Sequence, residues 1–389
     1  MAGGDLNIAQ VSTLLNTILG QARLNPAAVV DTSSFITVAQ TALKTAPDVL
    51  LNALGQMFTR QDIVSIRPYS RKFKSLERSS GQWGNAVRKI NYVDQPMEDN
   101  VAWSLTDGES VDMYKVAKPQ ILQTNFYGQA TWEQTWTLFD YQMDLAFSDP
   151  WNFQQFVSGI FQNKADQREQ AHESLARSVV TNLIGGVALG NTADGVVKVL
   201  ELYNNYTGKT LTAANAYDPA NFPDFVRFFV GLLKTYYGWL SERSQKWQIN
   251  ITGKPITRHT PRKDMMIYLY SPFFQQAKTR VYGDIFNDQY FDIGNFEEIN
   301  YWQSIANPAE INVKASYLQP DGTVATGTCN AGNVLGIIFD RNAAGYTTIM
   351  QRGGTTPYNT KGNYVNNTTK FSDRYYNDFT EKAVVFVLE

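Results

Sequence analysis

One long run of helical periodicity, at about residues 149–185, constrains the fold of this 389-residue chain more than any other feature. Ser148-Asp149-Pro150 supplies capping side chains and then a proline suited to the first turn. Apolar residues recur at three- and four-residue steps from Phe153 to Ile184, and Gly185-Gly186 predicts the end of the helix. At about 1.5 Å per residue, roughly 35 residues form a rod of roughly 50 Å. The remaining chain must therefore be arranged along this rod.

The first 65 residues are predicted to be mostly helical. Leu6 to Leu19 follow helical spacing, Asn25-Pro26 breaks that helix, and a second helix is expected over Pro47–Thr59. Two interpretations fit this pattern. One is a small helical subdomain of the same subunit, and the other is an arm that packs on a neighbouring molecule.

An extended β-structure is predicted next, because the segments Ile63–Phe73, Ala86–Val93 and Lys118–Tyr127 are β-prone. Gly81–Gly84 reads as a turn between the first two of these segments. Nothing in this region predicts a helix that could cover the hairpin. An isolated hairpin is only marginally stable in water, so we expect this one to pack against another surface.

The charges of this region are segregated along the chain. Residues 60–89 hold eight basic and two acidic side chains, whereas residues 94–112 hold six acidic and no basic ones. Two solvated loops, a basic surface for nucleic acid, and a plus–minus pair that joins identical subunits all fit the pattern, and charge complementarity would fix the register of such a pair. The predicted subunit-interface residues are Arg67, Arg71, Lys72, Lys74, Arg78, Glu98, Asp99, Asp107, Glu109 and Asp112.

The second half of the chain is predicted to be a mixed α/β block with its own core. A strongly apolar helix is expected over about Pro223–Gln245, a strand over Met265–Tyr270, and a short helix from Ser271 to about Thr279. Residues 187–219 read as loop-rich.

The chain closes on a buried strand. Gly353–Thr369, rich in Gly, Asn and Thr, reads as a loop, whereas Lys382–Leu388 is β-branched and aromatic. A chain that ends in a buried strand returns to a sheet made by earlier strands, so the α/β block is predicted to be an insertion. The apolar stripe of the long helix is expected to bury against that sheet.

No catalytic chemistry is predicted. Two histidines, His172 and His259, and one cysteine, Cys329, cannot form a zinc cluster, and His172 is expected at the surface. Thr207–Thr210 mimics the end of a phosphate loop, but Tyr203 stands where that motif needs glycine. We therefore predict no catalytic residue, cofactor or metal. A carboxylate-based enzyme, for example in the aromatic region 140–151, is kept as a weaker alternative.

The composition of the chain further narrows the classes of protein that fit this sequence. Charged residues are 18%, aromatic residues 13%, and the net charge is −2, so no positive field drives strong nucleic-acid binding. The first residues lack the basic and apolar regions of a secretory signal, and no apolar run approaches the roughly 18 residues of a membrane span. These features predict an intracellular, soluble protein without a membrane partner, whose surface is suited to being covered.

The order of these elements resembles the tailed-phage major capsid proteins of the Hong Kong 97 type. Met265–Pro272 with its short helix is similar to the axial-domain strand and helix of that family. Leu335–Asp340 and Phe371–Glu389 are similar to the return into the peripheral domain. The length of the chain and the order of its elements resemble those of capsid proteins from small short-tailed phages of Gram-positive bacteria.

The resemblance implies an α+β fold and a structural, non-enzymatic shell protein without cofactors. Such subunits form pentamers and hexamers that tile an icosahedral head around double-stranded DNA, which they contact only non-specifically. The protein would be made in the host bacterial cytoplasm, end in the virion, and meet scaffolding and portal proteins. A tail-sheath or encapsulating shell subunit is the alternative. The implied domains are a helical arm at 1–65, an extended loop at 66–122, a peripheral domain at 123–214 and 351–389 with a spine helix at 149–185, and an axial domain at 215–350.

Overall fold

A computed structural model describes residues 8–21, 23, 31–60, 69, 71–78, 87–280 and 296–389. The helices in these residues are α1 Ile8–Gln21, α2 Thr32–Thr45, α3 Pro47–Arg60, α4 Asp140–Ala146, α5 Pro150–Gly190, α6 Val199–Thr207, α7 Phe222–Ser241 and α8 Ser271–Arg280. The strands are β1 Val87–Tyr92, β2 Ile121–Phe126, β3 Gly128–Phe139, β4 Val196–Lys198, β5 Met265–Tyr270, β6 Phe296–Ile299, β7 Ile311–Leu318, β8 Val324–Ala331, β9 Val334–Asp340, β10 Ala344–Thr355, β11 Tyr364–Asn377 and β12 Ala383–Val387. The predicted α+β class is confirmed.

The N-terminal helices form a subdomain within the subunit. Helices α1, α2 and α3 share a core with α4 and the first half of α5. At its centre, the Phe35 ring lies 6.3 Å from that of Phe147 and 5.8 Å from that of Phe153. Helix α2 was missed from the sequence because its first turns are rich in Thr and Ser, but a capping box between Asp31 and Ser34 starts it. The break expected at Asn25-Pro26 lies outside the described residues.

Helix α5 is longer than predicted. It begins at Pro150 as expected but runs 41 residues to Gly190, so the predicted end at Gly185-Gly186 is wrong. A Cβ on Gly186 would lie 2.3 Å from the Phe379 ring, and one on Gly185 would lie 2.9 Å from Ala315 Cβ. The glycines therefore allow other elements to approach the helix, and they do not terminate it.

A three-stranded antiparallel sheet of order β10-β11-β3 contains much of the region predicted as a loop at Gly353–Thr369. Strand β10 continues through Thr355, and β11 begins at Tyr364. Polar side chains form hydrogen bonds with each other between neighbouring strands. For example, Thr137 Oγ1 of β3 donates to Asn366 Oδ1 of β11 at 2.6 Å. The loop prediction is therefore wrong for most of this segment, because Asn and Thr here pair within a sheet.

The second sheet has five strands in the order β4-β12-β9-β5-β6. The last strand, β12, lies parallel to β4 and antiparallel to β9, so the chain does return to an existing sheet as predicted. Phe386 of β12 packs on Phe229 and Tyr236 of α7, with ring centroids 5.9 and 5.5 Å apart. Because β12 shares a sheet with β5 and β9, it lies with the α/β block; the exact domain boundaries stay a prediction.

Residues 187–219 are more regular than predicted. They hold the end of α5, the three-residue strand β4 and helix α6, which ends at Gly208 with φ +71°. These elements were not predicted from the sequence, because helix α6 follows strand β4 without a linker.

The second half of α5 lies in the main core and is crossed by the β7–β8 hairpin. The first half packs against the N-terminal helices, so only part of its apolar stripe faces the β12 sheet. None of the described helices has the length and apolar character needed to span a membrane.

Candidate assembly interface

The predicted extended loop contains a two-stranded hairpin. Strands β1 and β2 pair antiparallel from Val87 opposite Phe126 to Tyr92 opposite Ile121. Residues 93–120 connect them and are named the loop tip here. The strand predicted at 63–73 and the turn at 81–84 lie outside the described residues except for positions 69 and 71–73, and 72–73 form a turn.

The loop tip exposes large apolar side chains. Met97 is fully exposed, and Trp103 and Val116 are exposed to 89% and 88%. Met113 and Tyr114 are exposed almost as much. Single exposed apolar residues are common, but their concentration in one segment favours an interaction surface. The composition of the tip therefore points to a surface that another molecule covers.

The acidic residues of the tip help to build its turns. Glu109 accepts a hydrogen bond from the Thr106 backbone N–H at 3.1 Å, and this bond holds the pKa of the Glu109 carboxyl below its usual value. Asp112 accepts from the Tyr114 N–H at 2.9 Å, and Glu98 pairs with Lys115 at 3.2 Å. All five predicted acidic residues, Glu98, Asp99, Asp107, Glu109 and Asp112, are exposed.

The predicted basic residues separate into two groups. Arg71 is buried, and Arg78 donates to the backbone carbonyl groups of Ser75 and Ala344, each at 3.0 Å. Lys72 and Lys74 are exposed, and neither forms an ion pair with another described residue. Arg67 lies outside the described residues. In the described part of the chain, no ion pair joins residues 71–78 to the acidic tip.

Arg71 belongs to a polar network inside the subunit. Its guanidinium pairs with Glu77 and, at 3.0 Å, with Glu169 of α5. It also lies 2.7 Å from His172 Nδ1. Removing one member of a buried network leaves the others unpaired, so the contacts of Arg71 stabilise the subunit itself.

His172 is buried at 3% exposure, so its predicted surface location is wrong. A guanidinium can only donate, so Nδ1 accepts from Arg71 and Nε2 carries the proton, 3.4 Å from Asp373 Oδ2. Burial of Asp373 opposes its ionisation, but hydrogen bonds from His172, Thr348 and Trp132 outweigh burial and lower the pKa of this carboxyl. The sequence showed only the acidic neighbours of His172 on its own helix, because its partners lie far along the chain.

A second cluster fixes the same segment to α5. Glu173 accepts hydrogen bonds from Tyr69 and from Arg177, the latter at 2.7 Å. The bond to Glu173 raises the pKa of Tyr69 to about 12. Residues 69 and 71–78 therefore include a polar anchor on the long helix.

The alternative of a carboxylate-based enzyme gains no support from the side chains it named. Asp140 accepts a hydrogen bond from Tyr358 at 2.6 Å, and this bond raises the pKa of Tyr358 to about 12.

A cavity of about 760 Å³ lies between α5, β7 and the start of β3, and its charged lining residues are Lys314 and Asp378. Asp378 is already paired with Lys89. Burial raises the pKa of the Cys329 thiol.

A comparison with solved structures finds phage capsid and phage head structures. The capsid structure of Staphylococcus phage Andhra matches with a TM-score of 0.55 at 10% identity, over 85% of this chain and 87% of that chain. A structure of the head fiber and inner core protein gp22 of native bacteriophage P68 matches with a TM-score of 0.53 at 12% identity, over 85% and 87%. At such identities the likeness shows the fold alone, which is that of a phage capsid protein.

A match between the sequence and a family model shows the family of this chain. The family model of the Phi29-like phage major capsid protein matches residues 34–387, and the chain belongs to that family. A search of curated proteins finds no match. The chain is thus a structural protein of the phage head shell and a component of the virion. The predictions of a capsid protein without catalytic activity are confirmed by this membership, which also favours a capsid over a tail-sheath or encapsulating shell subunit.

Proposed function

We propose that the subunit forms pentamers and hexamers of an icosahedral head, and that the loop tip of each subunit covers a neighbouring subunit. The exposed apolar side chains of the tip carry this proposal, because nothing within the described chain covers them. The neighbour is a second copy because a shell protein meets mostly itself.

The charges set the orientation of this contact. We infer that the acidic side chains of the tip face Lys72 and Lys74 of the neighbour, together with Arg67. The two described lysines are exposed, and neither forms an ion pair with any residue that the structure describes. Arg71 and Arg78 are excluded from this contact because their guanidinium groups are bound within the subunit.

Further partners are proposed on the family resemblance. A head that packages double-stranded DNA needs an entry vertex and a guide for closure, so portal and scaffolding proteins are the expected partners. Contact with the packaged DNA is non-specific on the family resemblance, and it is weak because the net charge of −2 provides no basic field. The Staphylococcus phage neighbour supports a Gram-positive host, whereas the short tail is proposed on the family resemblance alone.

A serine substitution tests the apolar contact. Trp103→Ser should leave the subunit folded, since the side chain is exposed, but should reduce the assembled fraction in sedimentation velocity and negative-stain images. Tyr206→Ser on α6 is the matched control, because Tyr206 is similarly exposed but lies outside the tip. Normal shells from the Trp103 variant would refute the contact.

Charge reversal tests the orientation. Lys72→Glu with Lys74→Glu should block assembly with unchanged far-UV circular dichroism, and adding Glu98→Lys with Asp99→Lys should restore it. Lys361→Glu is the control, because Lys361 is an exposed lysine far from this segment in sequence. Failure of the acidic reversals to restore assembly would remove this pairing and leave the apolar contact standing.

A further inference from the structure

Lys89 of β1 joins the hairpin to the interior of the subunit. Its ammonium pairs with the carboxylates of both Asp378 and Glu381, which lie in the segment between β11 and β12. The two carboxylate side chains are only 1% and 8% exposed. Strand alternation turns the neighbouring Arg88 to the opposite face, where it is exposed and donates to Gln123 at 2.9 Å.

The segment that holds the two carboxylates, residues 378–382, is named the connector here, and it is fixed to the body of the subunit. Arg258 pairs with Glu381 at 2.8 Å. Lys382 is fully buried and donates to the Glu242 carbonyl at 2.7 Å and to Ser244 Oγ at 3.0 Å. The carboxylates therefore cannot follow the hairpin if it moves.

Few other interactions hold the hairpin to the body. Asp94 accepts from the Thr257 N–H and pairs with Arg243 at 3.4 Å, and its own N–H donates to the Pro255 carbonyl at 3.1 Å. At the other end, the Phe126 and Tyr376 rings lie 5.4 Å apart. Within the described chain, residues 95–120 form no hydrogen bond or ion pair with the body.

We propose that Lys89 and its two carboxylates form a latch that sets the angle of the hairpin on the subunit before assembly. The ammonium is a compact donor that reaches both acids, and with Arg258 it balances their two charges. Because the latch lies at the base of a long arm, a small change there moves the tip far. Breaking the latch leaves the arm with only the Asp94 and Phe126 contacts, so more orientations become accessible without unfolding the hairpin, whose own strand pairing stays intact. This inference does not depend on what the tip binds, and it is tested in the unassembled subunit.

The experiment measures distances between two spin labels by pulsed electron paramagnetic resonance. The labels are placed at Ser104 in the loop tip and Lys234 on α7, both exposed, after Cys329→Ala removes the native thiol. In the parent chain the latch should give one narrow distance distribution. Lys89→Met should make that distribution about twice as wide, because several arm orientations become populated. Arg88→Met should leave it unchanged.

A second variant separates a released arm from a damaged fold. Lys89→Met leaves two buried carboxylates with one cation, so the subunit is also measured with Lys89→Met and Glu381→Gln together, which restores the charge balance. The double variant should keep the parent melting transition and still show the wide distribution. A double variant that folds with the narrow parent distribution would overturn the latch. Equal broadening by Arg88→Met would also overturn it.

Discussion

Two glycines of the long helix α5 should respond in opposite ways to the same substitution. Glycine in a helix interior is less favourable than alanine by about 1 kcal/mol, so Gly→Ala stabilises wherever space allows. At Gly159 a Cβ would meet no neighbouring atom within 4 Å, so Gly159→Ala should gain about 1 kcal/mol. At Gly186 the added Cβ would lie 2.3 Å from the Phe379 ring and 3.1 Å from the Ser316 carbonyl oxygen.

Phe379 can relieve part of this clash by turning, but the Ser316 oxygen belongs to the backbone of β7 and cannot. Overpacking of a core costs about 1–3 kcal/mol, which exceeds the helix propensity gain. Gly186→Ala should therefore lower the free energy of unfolding by up to about 2 kcal/mol in urea denaturation of the unassembled subunit. If Gly186→Ala stabilised the subunit as much as Gly159→Ala, the close approach of Phe379 to α5 would be refuted.

Three further predictions concern the core and the acid stability of the subunit. Phe386→Ala removes a buried ring that packs on α7 and should cost about 3–5 kcal/mol, whereas the exposed Gln167→Ala should cost almost nothing in the same urea titration. Deleting residues 383–389 should abolish cooperative unfolding, because β4 and β9 lose the strand between them. Because the pKa of Asp373 is lowered on folding, its stabilisation is complete above about pH 4 and is lost as the pH falls further. Asp373→Asn should remove that part of the acid transition; an unchanged acid profile would contradict the assignment.

The elements that could be predicted are those whose signal is local. The start of α5, helix α7, strand β5 and strand β12 all follow from periodicity, caps or β-branched runs. Strand β11 could not be predicted, because its Asn and Thr residues take their structure from pairing with β3 and β10. Helix α2 was missed for another reason: the Thr and Ser of its first turns are poor helix formers and obscure the local capping box of Asp31 and Ser34. The glycine pair in α5 carries the same composition as a helix end, and only the approach of Phe379 distinguishes the two.

The interface could be predicted only in part. Charge segregation identified the acidic loop tip, but a count of charges treats Arg and Lys alike. Arg71 and Arg78 use their forked guanidinium groups on several acceptors within the subunit, whereas Lys72 and Lys74 are exposed and form no ion pair within the described part of the chain. The exposed apolar side chains of the tip were not singled out from the sequence, because their exposure depends on where the hairpin ends. The latch at Lys89 could not be predicted, because its carboxylates lie nearly three hundred residues away.

The base and the tip of the hairpin use different physical interactions, and the difference fits an assembling arm. At the base, ion pairs and hydrogen bonds of Lys89 and Asp94 are directional, so they fix the angle of the arm but contribute little apolar burial. At the tip, side chains such as Trp103 and Val116 are apolar and exposed, and burial of each large side chain contributes about 1.5–3 kcal/mol without a strong directional preference. A contact between subunits needs both an orientation and a source of free energy. Because an arm already held in place loses less conformational freedom on binding, the polar base makes more of the apolar burial at the tip available for assembly.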